Sequence, residues 1–152
     1  MPATQNTQRT SRSKQPKTVI VGNNDLGKTP PQAVELEELV LGAIMIEKEA
    51  YATVAEILRV DSFYKTAHQH IYEAILGLAT KEQPIDKYTV INQLQKMGKL
   101  EDVGGPVYIS ALTDKVASAA HLLFHAQIVA QKAVARDLIK MSATILEKAY
   151  DE

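Results

Sequence analysis

The stretch from Ser118 to Ala149 contains neither glycine nor proline. Alanine, leucine, lysine, glutamate and glutamine, which all have high intrinsic helix propensity, supply most of it. The stretch therefore predicts one long α-helix. Such a helix constrains the fold strongly, because the rest of the chain has to pack along its sides and every apolar face it carries needs a partner.

Apolar residues recur along this helix on two stripes. The first stripe consists of Leu123, Ala130, Val134, Leu138, Met141 and Ile145. The second stripe consists of Ile128, Ala135, Ile139, Ser142 and Leu146. One stripe is enough to dock a helix on its own domain, so two stripes predict two packing partners, one of them outside this chain. The alternative is a helix buried more deeply in a monomeric core.

The remainder predicts shorter helices and no sheet. Three- and four-residue apolar spacing begins after Pro31, Asp86 is placed to cap a helix, and Gly104-Gly105-Pro106 predicts a sharp turn. Alternation typical of a strand is confined to Val19 to Val21. We therefore predict an all-α fold, a bundle of about five to six helices followed by the long helix. The predicted organisation is a disordered basic tail over residues 1–30, a globular helical head over 31–117 and the long helix over 118–152.

Composition narrows the functional class. The chain has 152 residues and no cysteine, which suits one domain in a reducing compartment and excludes thiol chemistry and cysteine-rich zinc modules. No apolar run approaches a membrane span and no signal-peptide pattern opens the chain, so we expect a cytoplasmic protein. Residues 1–31 carry five basic residues against Asp25, which leaves the rest net acidic. An acidic body predicts weak DNA binding at most.

The segment GNNDLGKT matches the phosphate-loop pattern at Gly22, Gly27, Lys28 and Thr29. A working phosphate loop needs a helix that begins at the Lys and Thr, so that backbone N–H groups hold the phosphates. Here Pro30 and Pro31 follow, and residues before proline avoid the helical region. We interpret the match as chance. A small nucleotide-binding enzyme that uses Lys28 is the alternative.

Other polar clusters have structural explanations. His121 and His125 share a helix face, but no third ligand accompanies them, so no metal site is expected. The carboxylates of Glu35, Glu37 and Glu38 suit the first turn of a helix. His68 and His70 face different sides of a helix, and we expect one of them to cap or pack near the adjacent aromatics at 63–64. We predict no catalytic residue and no cofactor.

Four blocks of the sequence carry a family resemblance: PPQAVELEELVLGAIM, FYKTAHQHIYEAILGL, PIDKYTVINQLQKMGKLEDVGGPVYISALT and VASAAHLLFHAQIVAQKAVARDLI. They lie within about residues 30–150, and this region resembles the N-terminal domain of the bacterial replicative DNA helicase, the DnaB-type family. One departure is His121, where the family usually has asparagine.

The resemblance implies a helical head followed by a two-helix hairpin whose first helix is the long helix, with the hairpin interrupted here. It implies subunit association as a dimer or as a hexameric collar built as a trimer of dimers, contact with the C-terminal domain of primase, and contact with a helicase loader. We expect the ATPase domain of the family to be absent and therefore expect no catalysis in this segment. Expected interface residues are Val129, Ala133, Arg136 and Ile139, and His121 and Leu122 are expected to contact primase. A free-standing regulator that mimics the collar is a further alternative.

Overall fold

The computed structural model describes residues 28–151, and this range contains six α-helices, one 3-10 helix and no β-strand. The α-helices are α1 (Val34–Ile46), α2 (Ala50–Val54), α3 (Thr66–Thr80), α4 (Lys87–Lys96), α5 (Gly105–Asp114) and α6 (Leu122–Tyr150), and the 3-10 helix Val60–Ser62 lies between α2 and α3. The all-α prediction is confirmed. The predicted tail lies almost entirely outside the described residues.

Helix α1 is the centre of the fold and contacts all five other α-helices. Every residue from Val40 to Met45 is buried, so this helix is covered on all sides. Gly42 allows the closest approach, because a Cβ there would overlap the carbonyl oxygen of Leu112 on α5 and lie 2.6 Å from Cγ2 of Val116. The close packing of α5 on α1 therefore requires glycine at position 42.

Local hydrogen bonds fix the ends of the shorter helices. Asp86 caps α4 as predicted, since its Oδ1 accepts hydrogen bonds from the amides of Tyr88 at 2.8 Å and Thr89 at 2.9 Å. The Thr89 hydroxyl in turn accepts from the Asp86 amide at 2.9 Å, which completes a capping box. Gly104 has φ 107° immediately before α5, the left-handed conformation that glycine adopts without strain.

The long helix begins at Leu122, four residues later than the predicted Ser118. The Ser118 hydroxyl accepts a hydrogen bond from the Ala120 amide at 3.1 Å, and the Leu122 amide donates to the Ala119 carbonyl at 3.1 Å. Serine side chains that bond nearby backbone groups favour turns over helix. The good helix propensity of the alanines at 119 and 120 is therefore overridden by a turn.

Helix α6 packs on α1, α2 and the 3-10 helix through its N-terminal half only. Its buried residues are Leu122, Ala126 and Val129, and none is buried from Ala130 to Tyr150. These three residues belong to neither predicted stripe and lie on a narrow strip between the two. The alternative of a helix buried deeply in a monomeric core is wrong for this chain. Among the described residues, no helix is both long and apolar enough to cross a membrane.

Candidate interaction surfaces

The first stripe forms an exposed apolar face along α6. Its five large members are Leu123, Val134, Leu138, Met141 and Ile145, and they are between 46% and 65% exposed. With Ala130 included, adjacent members of the stripe lie three, four or seven residues apart and therefore point to the same side of the helix. Single exposed apolar residues are normal, but a continuous row of them on one face is typical of an interaction site.

The second stripe faces an open groove between the C-terminal half of α6 and the head. The groove has a volume of about 990 Å³. Ile139 and Leu146 of the stripe line it, and Phe63 and Tyr64 line it from the 3-10 helix side. The two stripes therefore have different surroundings: Ile139 and Leu146 of the second stripe line this groove, and no residue of the first stripe does.

Arg136 fastens α6 to the head. Its Nη1 donates to the Pro31 carbonyl at 2.9 Å, and its Nη2 donates to the Ser62 carbonyl at 3.0 Å. The guanidinium also lies over the ring of Tyr64, 5.5 Å from its centroid. These contacts use the planar fork of arginine at two separate carbonyls and one aromatic face. Arg136 thus acts within the chain, although the sequence placed it among the association residues.

The other expected association residues divide by burial. Val129 is 1% exposed and packs in the chain's own core, so its side chain is not presented to a second molecule. Ala133 is partly buried, whereas Ile139 is 54% exposed. The reason is the position of these residues around the helix axis: Val129 and Ala133 point to the same side of α6 as Ala126, which is the side that packs on the head. Only Ile139 of the four is an exposed apolar side chain.

The start of α6 offers a second apolar patch. His121 is exposed, but Leu122 is 5% exposed and belongs to the core. The neighbouring Leu123 and Phe124 are exposed instead, Phe124 at 64%. Sequence reasoning missed Phe124, and the available signal was an aromatic residue four positions before Ile128, in line with the second stripe.

A shallow hollow of about 320 Å³ adjoins this patch, lined by Leu122 and Leu123 together with Ala119, Ala120 and the loop before α2. The rings of His121 and His125 are 6.2 Å apart between centroids. No group of three or more metal-ligating side chains occurs in residues 28–151. The patch thus combines apolar side chains with two imidazoles.

A buried polar network joins α1, α3 and α5. Glu37 is 1% exposed, and Oε1 of Glu37 lies 2.8 Å from Nδ1 of His68, which is fully buried. Nε2 of His68 lies 2.6 Å from the hydroxyl of Tyr108, and Oε2 of Glu37 accepts the Tyr64 amide at 2.8 Å. Glu37 does lie in the first turn of α1, but its contacts give it a further function that its sequence position did not show.

The side chains of the network are all hydrogen-bonded, and the directions of the pKa shifts of Glu37 and Tyr108 follow from their surroundings. Burial alone would raise the pKa of Glu37, but the hydrogen bonds from His68 and the Tyr64 amide, the charge of His68 and the Lys65 amide together lower the pKa below its ordinary value of 4.5. Burial first, then the charges of Glu38 and Glu37, raise the pKa of Tyr108 to about 12. Within the described part of the chain, every buried side-chain nitrogen and oxygen has a hydrogen-bond partner. This arrangement locks three helices together and leaves no open position for a ligand.

The phosphate-loop match falls partly outside the described residues, which exclude Gly22 and Gly27. Lys28 and Thr29 are exposed and non-helical. Helix α1 begins at Val34, so no helix N-terminus lies at Lys28. The interpretation as a chance match stays a prediction, supported by this missing helix start.

Comparison with known proteins gives a consistent result. The model of the DnaB-like helicase N terminal domain family matches residues 29–131. Replicative DNA helicase DnaB of Rhodothermus marinus is 44% identical over 125 residues, which are 82% of this chain and 13% of that protein. Replicative DNA helicase DnaB of Geobacillus stearothermophilus is 39% identical over 123 residues, 81% of this chain and 27% of that protein. The chain thus spans only a small part of these relatives.

Two solved structures share the fold. The N-terminal domain of DnaB helicase from Mycobacterium tuberculosis matches with a TM-score of 0.76 and 38% identity, covering 80% of this chain and 88% of that one. A structure described as a DnaB-like replicative helicase and its interactions with primase matches with a TM-score of 0.69 and 27% identity, covering 79% of this chain and 28% of that one. About four fifths of this chain therefore has known structural counterparts.

Proposed function

This chain belongs to the DnaB-like helicase N-terminal domain family, and from that premise we propose that it joins helicase subunits and binds primase during the assembly of the replication machinery. The domain acts by binding and carries out no catalysis, and it needs no cofactor. The relatives it resembles are replicative DNA helicases. We place its action in the cytoplasm, where a bacterial chromosome is replicated.

The exposed first stripe is the observation that supports subunit association. Five large apolar side chains lie exposed on one face of α6, although α6 already packs on its own head through other residues. An exposed apolar row of this kind is typical of an interaction site. Antiparallel or parallel pairing with the same stripe of a second copy would bury both rows at once. A self-complementary face of this kind gives a symmetric dimer. Three such dimers would form the hexameric collar, and its outer surface would be open to a helicase loader.

Sedimentation velocity of the chain at a series of concentrations tests this association. We expect dimers or larger species that dissociate on dilution. Leu138→Glu should shift the distribution to monomer, because it places a charge in the middle of the apolar row. Tyr88→Glu is the matched control, since Tyr88 is 72% exposed on α4 and lies away from both stripes. A wild-type chain that sediments as a monomer at every concentration contradicts the proposal.

We place the primase contact at the start of α6, on His121 and Phe124, which lie outside the first stripe. Leu122, which the sequence suggested, is buried and supports these residues from below. The exposed ring of Phe124 is a suitable anchor, because aromatic residues that become buried in an interface carry a large share of the binding energy. DNA contributes only weakly to binding at this face.

Calorimetric titration with the C-terminal domain of primase tests this placement. Phe124→Ala should weaken binding by about 10-fold or more, in keeping with the truncation of an anchor residue. Val107→Ala is the control, because Val107 is 81% exposed on α5 outside the patch. Equal affinities of the two variants would remove Phe124 from the contact, and a wild-type chain that does not bind the primase domain would contradict the proposal itself.

A further inference from the structure

Tyr64 lies between the buried polar network and the residue that fastens α6. Its backbone amide donates to Oε2 of Glu37 at 2.8 Å. Its ring lies under the guanidinium of Arg136, with 5.5 Å between the ring centroid and Cζ. The carbonyl of Ser62, just before it in the chain, accepts from Nη2 of the same guanidinium at 3.0 Å. The segment 62–64 therefore contacts both the buried carboxylate of the head and the side chain that anchors α6.

The position of Glu37 is fixed by two further helices. Glu37 is 1% exposed on α1, and its Oε1 lies 2.8 Å from Nδ1 of His68 on α3, which is fully buried. The other ring nitrogen of His68 lies 2.6 Å from the hydroxyl of Tyr108 on α5. Hydrogen bonds to a charged carboxylate are about twice as strong as those between neutral groups. The amide of Tyr64 is therefore bound to a strong acceptor whose place in the core is set.

This bond matters more for Tyr64 than it would for its neighbour. The ring of Phe63 is fully buried, 5.0 Å from the ring of Tyr72 between centroids, and the Phe63 carbonyl accepts from the side chain of Gln69 at 2.8 Å. Tyr64, in contrast, has a side chain that is 38% exposed. The bond from its amide to Glu37 is therefore the contact that ties its backbone to the core.

The C-terminal half of α6 depends on the partners of Arg136. No residue of α6 from Ala130 to Tyr150 is buried. Arg136 connects this half to the head through the carbonyls of Pro31 and Ser62 and through the ring that lies under its guanidinium. A segment with few buried contacts moves at a low cost in free energy. How firmly this half is held therefore depends on how firmly the partners of Arg136 are held.

We propose that Glu37 is a positioning residue for α6, which acts through Tyr64 on Arg136. The carboxylate holds the backbone of Tyr64, the ring of Tyr64 supports the guanidinium, and the guanidinium holds the C-terminal half of α6 on the head. The side-chain hydrogen bonds of Glu37 go to His68 on α3 and to the two residues just before that helix, so its effect on α6 is indirect. The inference concerns one molecule and goes beyond subunit association and primase binding.

Distances between spin labels test this connection. The chain has no cysteine, so introduced cysteines are the only labelling sites. The first pair is Asn92→Cys on α4 with Lys148→Cys near the end of α6, and the second pair is Asn92→Cys with Glu101→Cys, both in the head. All three positions are exposed. Double electron–electron resonance gives the width of each distance distribution, and an excess of unlabelled chain restricts the measured distances to labels within one molecule.

Glu37→Gln should widen the distribution between the head and α6 about 1.5-fold. The amides of Tyr64 and Lys65 bond to different oxygens of the carboxylate, whereas a carboxamide has a single acceptor oxygen and leaves one amide without its partner. Glu35→Gln is the matched control, because Glu35 is exposed in the same helical turn, and it should leave the width unchanged. Tyr64→Ala should also widen the distribution, although it keeps the backbone amide that bonds to Glu37.

A double variant separates the indirect effect from a general loosening of the fold. Glu37→Gln added to Arg136→Ala should widen the distribution no further than Arg136→Ala alone, because the carboxylate then has no guanidinium to support. An unchanged width in Glu37→Gln or in Tyr64→Ala would overturn the proposal, and so would additive widening in the double variant. A wider distribution for the pair at 92 and 101 would overturn it as well, because the whole head would then have loosened. None of these outcomes depends on association between copies, so the failure of subunit association is distinguishable from the failure of this inference.

Discussion

Gly42 controls the packing of α1 against α5. A Cβ at this position would overlap the backbone carbonyl of Leu112, and backbone cannot move aside as a flexible side chain does. We predict that Gly42→Ala lowers the free energy of unfolding by about 2 kcal/mol or more, as overpacking in a core does. Urea denaturation followed by circular dichroism measures the change.

Gly77 provides the matched control for Gly42, since it also lies inside a helix. A Cβ there would meet only the side-chain amide of Gln93, with Nε2 at 3.1 Å. Gly77→Ala should therefore be neutral or stabilising by up to about 1 kcal/mol, because alanine favours helix over glycine. Equal destabilisation by the two substitutions would show that the contact with Leu112 is not the cause.

Glu37 stabilises the fold as a carboxylate. We predict that Glu37→Gln lowers the free energy of unfolding near neutral pH by about 2 kcal/mol, because it weakens hydrogen bonds to a charged acceptor and leaves His68 with a poorer partner. Glu35→Gln is the control, since Glu35 lies in the same helical turn and is exposed. An equal loss in both variants would contradict a special contribution from the network.

The pH dependence of this effect has a definite sign. The folded-state pKa of Glu37 is lower than its ordinary value of 4.5, so the unfolded chain binds the proton more readily. The stabilisation is fully present above about pH 4.5 and is lost as the pH falls through the lower folded-state pKa. The difference in unfolding free energy between the wild type and Glu37→Gln should therefore shrink as the pH is lowered below 4.5. A difference that stays constant down to pH 3 would contradict this assignment.

The residue scale also shows where sequence reasoning was incomplete. Asp86 was predicted correctly as a cap because its partners, Tyr88 and Thr89, are two and three residues away. The bond from Glu37 to His68 joins residues 31 apart, and the bond from His68 to Tyr108 joins residues 40 apart. Local patterns contain no information on such partners until the helices are placed.

At the scale of elements, the position of α6 depends on Arg136. We predict that Arg136→Ala destabilises the domain by about 2 kcal/mol, because the carbonyls of Pro31 and Ser62 lose charge-assisted hydrogen bonds. Lys148→Ala, an exposed position on the same helix, should change stability little. The measurement is again chemical denaturation, and comparable effects of the two substitutions would rule out the fastening role of Arg136.

The faces of α6 were predicted only in part. The two stripes are real apolar rows, but the strip that docks on the head contains the small residues Ala126 and Ala133 beside Val129. Small side chains let helices approach closely, yet they add little to an apolar pattern, so the docking strip gave a weaker signal than the exposed rows. The start of the helix was set by the hydroxyl of Ser118, which helix propensity does not take into account.

At the scale of the whole molecule, stability should depend on concentration. If the first stripe pairs between copies, association stabilises the folded state by mass action. We predict that the melting temperature rises by about 3 °C or more for each tenfold increase in chain concentration. Leu138→Glu should remove this dependence, whereas Tyr88→Glu should keep it. Differential scanning fluorimetry over two decades of concentration makes the comparison, and a flat wild-type profile would contradict association through α6.

The last buried residue of α6 is Val129, and the last hydrogen bonds to the head come from Arg136. Beyond Arg136 the helix continues to Tyr150 over roughly 21 Å at the rise of an α-helix. A tilt of this segment by about 10° at Arg136 moves Tyr150 by roughly 4 Å, which is close to the width of a side chain. In a dimer joined through α6, the distance and angle between the two heads would therefore depend less on the apolar contacts of the first stripe. They would depend more on the hydrogen bonds from the guanidinium of Arg136 to the carbonyls of Pro31 and Ser62.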